Sequence, residues 1–133
     1  MPPFGHTHEL RVRYAETDAM GIVWHGNYLA YFEAARTEAM RATGLPSYRE
    51  LEEAGIMMPV VETGTVHHAP ARYDDLLRIR VRVAEPPRAR IRFDYEVTRD
   101  EIKIADGFTT LAFMDAQTRR PCRPPKAFQT FFA

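Results

Sequence analysis

Helical periodicity fills one long stretch of this chain, and almost everything after it repeats with a period of two. Tyr28, Phe32, Ala35, Ala39 and Ala42 fall three and four residues apart and form an apolar stripe. Glu33, Arg36, Thr37, Glu38 and Arg41 lie largely off that stripe. Asn27 stands where an N-cap belongs, Gly44 is placed to be a left-handed C-terminal cap, and Leu45-Pro46 stops the helix. At about 1.5 Å per residue, such a helix is roughly 25 Å long, enough to cross a small domain. Ser47-Tyr-Arg-Glu50 has the spacing of a capping box and predicts a short second helix ending at Gly55. Before the long helix, Leu10, Val12 and Tyr14 alternate with Glu9, Arg11 and Arg13, which predicts a strand over 8–14. After the short helix no helical pattern appears. Strands are predicted over 60–68, 77–83, 89–97 and 102–114, with a turn over 70–75, Pro86-Pro87 ending one strand and Arg99-Asp100-Glu101 turning into the last. The last strand is apolar on both parities, as a strand covered on both faces would be. The order strand, helix, short helix, four strands in meander predicts an α+β arrangement: one antiparallel sheet with a single long helix against it.

A chain of 133 residues and 15.3 kDa fits one domain, and 45% apolar residues can build its core. Eighteen basic residues balance eighteen acidic ones. That balance argues against a nucleic-acid binder or an anionic-membrane binder, since both partners reward a cationic excess. It also offers no repulsion against self-association. Cys122 is the single cysteine and makes no intrachain disulfide. The opening Met-Pro-Pro-Phe-Gly-His lacks a charged-then-apolar signal pattern, and no apolar run is long enough for a membrane span. A cytoplasmic protein is expected.

The stretch from Tyr14 to Leu29 could carry chemistry. It delivers the carboxylate of Asp18 on a loop containing Gly21 and Gly26, immediately before a helix N-terminus. The first turn of a helix presents unpaired N–H groups and a partial positive charge. Such donors can hold an oxygen that turns negative during acyl transfer, with a nearby carboxylate as base or nucleophile. The competing reading is structural: Asp18 merely makes an Asx-type turn.

Asp18-x-x-Gly-Ile-Val-Trp-His25-x-Asn-Tyr28 closely resembles the signature of the 4-hydroxybenzoyl-CoA thioesterase family. Its histidine-containing form resembles the branch of bacterial short-chain acyl-CoA thioesterases associated with the Tol–Pal system. Pro70-Ala-Arg-Tyr-Asp74-Asp75-Leu-Leu resembles the family's second recurrent stretch. The likeness covers 1–133 as one domain. It implies the hotdog fold, a five-stranded antiparallel sheet wrapped around one long central helix, with sites formed between two subunits. It further implies hydrolysis of a small acyl-CoA, aliphatic or aromatic, with coenzyme A as part of the substrate and no separate cofactor. Asp18 stands at the family's catalytic carboxylate, as general base or nucleophile. His25 stands where a backbone N–H at the helix start polarises the thioester carbonyl. Tyr48, Met58 and Pro59 match positions that shape the acyl pocket, although the aromatic-CoA enzymes carry tryptophan where this chain has Tyr48. Arg88 and Arg90 match a basic stretch that meets the nucleotide of coenzyme A.

Sixteen of the eighteen basic residues are arginine, a bias that suits phosphates as well as solvated ion pairs. Arg72 is read as an ion-pair partner of Asp74 or Asp75. No metal site is expected: His67 and His68 point to opposite strand faces, and His6 and His8 lack an obvious third ligand. Two further functions fit the same fold, an acyl-carrier-protein thioesterase and a non-catalytic acyl-CoA-binding protein. A homodimer or a homotetramer built as a dimer of dimers is expected.

Overall fold

The computed structural model describes residues 4–133. Met1, Pro2 and Pro3, which the reading of the N-terminus and of the 1–133 domain includes, lie outside the described residues. Strand β1 (Phe4–Arg11) leads to a 3₁₀ turn at Tyr14–Glu16 and a loop, then helix α1 (Asn27–Thr43). Helix α2 (Tyr48–Glu53) and the two-residue strand β2 (Ile56–Met57) follow. Strands β3 (Val60–His67), β4 (Leu76–Val83), β5 (Arg90–Arg99) and β6 (Ile102–Ala112) come next, then β7 (Met114–Asp115) and helix α3 (Lys126–Phe131). Five strands form one antiparallel sheet in the order β1-β4-β5-β6-β3, and β2 pairs with β7. Helix α1 packs on one face of that sheet, as the resemblance implied.

The alternating strands bury one parity each. Leu77, Ile79, Val81 and Val83 on β4, with Ile91, Phe93, Tyr95 and Val97 on β5, are all buried, while the arginines between them face out. On α1 the buried arc is wider than the predicted stripe. Tyr31 and Met40 join it, Ala42 is exposed, and Arg36 is buried. Arg36 lies one turn beyond Phe32 and one before Met40, both buried, so its position and not its chemistry decides its burial.

Four expectations about the fold are corrected. The first strand spans 4–11 rather than 8–14, because its ladder with β4 ends at Arg11 opposite Leu76. Tyr14 is consequently exposed in the 3₁₀ turn, whereas Val12 remains buried. Gly26, not Asn27, caps α1, because the Asn27 amide donates to the Glu16 carbonyl at 2.7 Å instead of closing the helix start. The last four strands do not form a simple meander: β3 pairs with β6 on the far edge, so the connection over 68–75 crosses the sheet. Finally, α3 follows Pro124-Pro125 and buries Phe128 against Phe113, a helix too short for its periodicity to show.

Phe32 is fully buried and stacks on Tyr95 with 4.3 Å between ring centroids. The stack fits because β6 carries Gly107 beneath it. A Cβ there would lie 2.5 Å from the Phe32 ring and 3.0 Å from the Gly64 carbonyl oxygen. Neither neighbour can yield, since one is stacked and the other is backbone. Gly107→Ala is expected to cost about 1–3 kcal/mol, the usual range for overpacking a core. The check is the midpoint of urea unfolding, which should fall without a change in slope.

Candidate active site

The loop between β1 and α1 is held by bonds that its sequence makes with itself and with the stretch over 70–77. Thr17 bridges Val23, and the Asp18 N–H donates to the Ile22 carbonyl at 2.9 Å. Gly21 closes the turn at φ 77, and its N–H donates to the Asp18 carbonyl. From the other side, the Val23 N–H donates to the Ala71 carbonyl at 2.8 Å, and the Tyr14 and Tyr73 rings meet edge to face at 5.5 Å. The second recurrent stretch therefore braces the first. Within it, Asp75 is held by the Arg72 N–H at 2.8 Å and by the Arg99 guanidinium at 2.9 Å. The guanidinium paired with Asp75 is thus that of Arg99, not Arg72. Arg72 contributes its backbone, and only the fold brings β5 close enough to supply a cation.

Glu16 ties this loop to α1, a role the sequence reading missed. Its carboxylate accepts from the Arg13 N–H at 2.9 Å, the Arg13 Nε at 3.0 Å and the Tyr31 hydroxyl at 2.9 Å. Burial pushes the Glu16 carboxyl up, but the bonds from Arg13 and Tyr31, with the Arg13 charge, outweigh it and hold the group below its ordinary value. The Tyr31 phenol moves the other way, raised by burial and by the facing carboxylate. Tyr31 sits one turn into the helix, so the signal was present as an aromatic off the narrow stripe.

Asp18 does make an Asx turn: its Oδ1 accepts from the Met20 N–H at 2.9 Å. Its Oδ2 has no hydrogen-bond partner among the described residues. At the other end of the loop, the N–H groups of Asn27, Tyr28 and Leu29 bond back to the carbonyls of Trp24, His25 and Gly26. The N–H groups of His25 and Gly26 have no protein acceptor among the described residues. The donors left over thus lie just before the helix, not in its first turn. As the Trp24 indole sits, a Cβ at Gly26 would fall inside it, so a larger residue there must displace that half-exposed ring. The His25 ring is exposed and lies 5.2 Å from that indole. A carboxylate oxygen and two N–H donors on one short loop have the makings of an acyl-transfer site.

The other predicted residues divide. Tyr48 begins α2, and its hydroxyl accepts from Arg36 Nε at 2.8 Å. Met58 is buried, and the Pro59 carbonyl accepts from the Ala112 N–H at 3.0 Å, next to β2. Arg88, on the turn between β4 and β5, and Arg90, the first residue of β5, are both exposed. That turn follows the Val83 end of β4, whereas the loop leaves β1 at the Leu76 end, so one chain does not bring them together. Arg88 instead lines a groove of about 560 Å³ with Cys122, Arg123 and three prolines. Burial, then the Asp115 charge, raises the Cys122 thiol above its ordinary value, which does not suit an activated nucleophile. Among the described residues no cluster of three or more His, Cys, Asp or Glu side chains could hold a metal ion.

Residues 12–132 match the family model described as the thioesterase-like superfamily. The chain is 31% identical over 128 residues to the acyl-CoA thioesterase YbgC of Haemophilus influenzae, covering 96% of this chain and 94% of that one. Among solved structures it is similar to a hypothetical protein of Thermus thermophilus, at 37% identity and TM-score 0.88, with 95% of each chain covered. It is also similar to the 4-hydroxybenzoyl-CoA thioesterase of Pseudomonas sp. strain CBS-3, at 26% identity and TM-score 0.86, covering 96% of this chain and 99% of that one. The five-stranded sheet and the helix across it are the hotdog fold, and the chain belongs to the thioesterase-like superfamily.

Proposed function

We propose that this protein hydrolyses the thioester of a small acyl-CoA to the free acid and coenzyme A. The observation that carries this reading is the loop from Tyr14 to Asn27, with its free Asp18 Oδ2 and the two unclaimed N–H groups of His25 and Gly26. The thioester carbonyl oxygen sits against those N–H groups, which stabilise the negative charge that develops as the carbonyl carbon becomes tetrahedral. Asp18 takes a proton from water as it attacks that carbon, or attacks it directly to give an anhydride that water then cleaves. Either route breaks the C–S bond and expels the thiolate of coenzyme A, which takes up a proton. Coenzyme A belongs to the substrate, and no separate cofactor is assigned. Tyr48, Met58 and Pro59 line the acyl side, and Arg88 and Arg90 meet the nucleotide phosphates. Among the described residues no helix is long and apolar enough to cross a membrane, and we place the protein in the cytoplasm with its substrate.

The test is release of free thiol from acetyl-, butyryl-, hexanoyl-, lauroyl- and 4-hydroxybenzoyl-CoA. No hydrolysis of any of them would remove the reading. His25 then separates main chain from side chain. If the N–H holds the oxyanion, His25→Phe keeps kcat/KM within about tenfold, a change of about 1.4 kcal/mol at most. A loss as large as that caused by removing the Asp18 charge would assign the chemistry to the imidazole. Circular dichroism on the same sample checks that α1 still forms.

A further inference from the structure

Ten residues separate Glu16 from Asn27, and Asp18, His25 and Gly26 all lie among them. The Glu16 carbonyl oxygen accepts from the Trp24 N–H at 3.0 Å and from the Asn27 Nδ2 at 2.7 Å. Those two bonds occupy both lone pairs of that oxygen. Trp24 is the residue before His25, and Asn27 is the residue after Gly26. One oxygen therefore brackets the two residues whose N–H groups have no protein acceptor. The Asn27 N–H, donating to the Trp24 carbonyl at 2.9 Å, closes the same four-residue turn. Gly26 caps α1, so the Asn27 amide serves the loop rather than the helix start. The other end of Glu16 is held by the same helix. Its carboxylate accepts from the Tyr31 hydroxyl at 2.9 Å, and Tyr31 stands four residues after Asn27, on the same helix face. Tyr31 is 4% exposed, with Tyr28 and Phe32 buried beside it, so the first turns of α1 are fixed against the core. Helix α1 thus grips one residue at its carbonyl and at its carboxylate, and the loop bearing Asp18 is closed at its base. Alignment of that kind matters to a reaction, since a displacement of about 1 Å can cost about a hundredfold in rate.

We propose that Asn27 and Tyr31 are positioning residues, a two-point clasp on Glu16 that holds the Asp18 carboxylate and the N–H groups of His25 and Gly26 at the separation one thioester needs. This rests on the thioesterase reading, in which those groups meet the thioester carbonyl. Asn27 fixes the donor end of the loop through the shared carbonyl oxygen. Tyr31 fixes the carboxylate of the residue two before Asp18. Neither acts on the substrate itself.

The experiment measures kcat and KM on the best substrate of the acyl series for the wild type, Asn27→Ala, Asn27→Asp and Tyr31→Phe, with thermal unfolding of each. Asn27→Ala removes the donor and keeps a strong helix former. Its kcat should fall about tenfold or more while KM stays within about threefold, the mark of an interaction that counts only in the transition state. Asn27→Asp separates the loop from the helix start: a carboxylate there suits the helix dipole but has no N–H for the Glu16 carbonyl. It should lose at least as much kcat as Asn27→Ala. Tyr31→Phe keeps the buried ring, frees the Glu16 carboxylate from the helix and should lower kcat severalfold. A folded Asn27→Ala protein with kcat close to that of the wild type overturns the proposal. So does recovery of activity in Asn27→Asp, which would assign Asn27 to the helix start. A loss seen in KM with kcat unchanged also overturns it, since Asn27 would then be a substrate contact. Should Asn27→Ala not fold, Tyr31→Phe carries the test alone, and an unchanged kcat overturns the clasp. If the wild type hydrolyses none of the thioesters, the thioesterase reading fails by itself, and the closure of the loop is decided by amide hydrogen exchange. The Trp24 N–H, bonded to the shared oxygen, should then exchange about tenfold faster in Tyr31→Phe or Asn27→Ala than in the wild type, while the amides of β5 keep their rates. No change at Trp24 overturns the clasp.

Discussion

Asp18→Asn lowers kcat at least a hundredfold and leaves the fold in place. Asparagine keeps an oxygen at the Oδ1 position, so the 2.9 Å bond from the Met20 N–H survives and with it the Asx turn. The remaining restraints on the loop do not involve the side chain. They are the Asp18 N–H to Ile22 bond, the Val23 N–H to Ala71 bond and the Glu16 carboxylate held by Arg13 and Tyr31. What the substitution removes is the charge and basicity at Oδ2, the oxygen with no partner. General-base contributions run about 10²–10⁴ in rate, and a lost nucleophile costs no less. The measurement is kcat on the best substrate of the acyl series, with thermal unfolding of the same preparation. A well-folded Asp18→Asn protein that keeps most of its activity would take Asp18 out of the mechanism.

What the sequence made legible is what periodicity and caps encode. The arginine alternation on β4 and β5 assigns their faces without ambiguity, and Gly44 ends α1 in the left-handed conformation, φ 83, as its position implied. The capping box at Ser47 and Glu50 forms both of its bonds. Strand order was not legible, because alternation says which face a residue takes and nothing about which strand lies beside it. The crossing of β3 to the far edge is set by packing at long range. The candidate site shows the same split. Asp18 and His25 lie on one continuous loop and could be read from spacing. Glu16 acts through Tyr31, which is fifteen residues away, and Asp75 through Arg99, which is twenty-four away. The apolar stripe read from the sequence leaves Arg36 off it, yet Arg36 is buried with its neighbours one turn either side, Phe32 and Met40. A charged residue between two core positions on one helix face is the pattern that reveals it.

Mixing an Asp18 variant with an Arg88 and Arg90 variant should restore activity, because the two halves of the site we propose lie at opposite ends of one chain's sheet. The loop bearing Asp18 follows the end of the sheet where Arg11 meets Leu76, and the turn that carries Arg88 and leads into β5 at Arg90 follows the end where Phe4 meets Val83. Eight residues of strand separate them, roughly 25 Å at about 3.3 Å per residue. The loop also carries Tyr14, Met20 and Trp24, at 76%, 77% and 51% exposure, with Leu29 and Tyr73 exposed nearby. Apolar surface of that kind is seldom left bare on a monomer, and a net charge of zero does nothing to keep a second copy away. We propose a homodimer, or a dimer of dimers, in which one copy's Arg88 and Arg90 meet the nucleotide of the substrate whose thioester lies at the other copy's Asp18. A two-fold axis makes two such sites per dimer. Asp18→Asn alone damages the chemistry of both sites, and Arg88→Ala with Arg90→Ala damages binding at both. In a mixed dimer, one site collects both defects and the other collects none. Random exchange after unfolding and refolding the two together places half the chains in mixed dimers, so about a quarter of the wild-type sites should return. The measurement is hydrolysis at substrate well below KM, with sedimentation at micromolar protein to confirm the dimer. Were each site built within one chain, every site in the mixture would carry a defect, and activity would stay at the average of the two parents. That result, or a fully active monomer of about 15 kDa in the centrifuge, would end the shared-site reading.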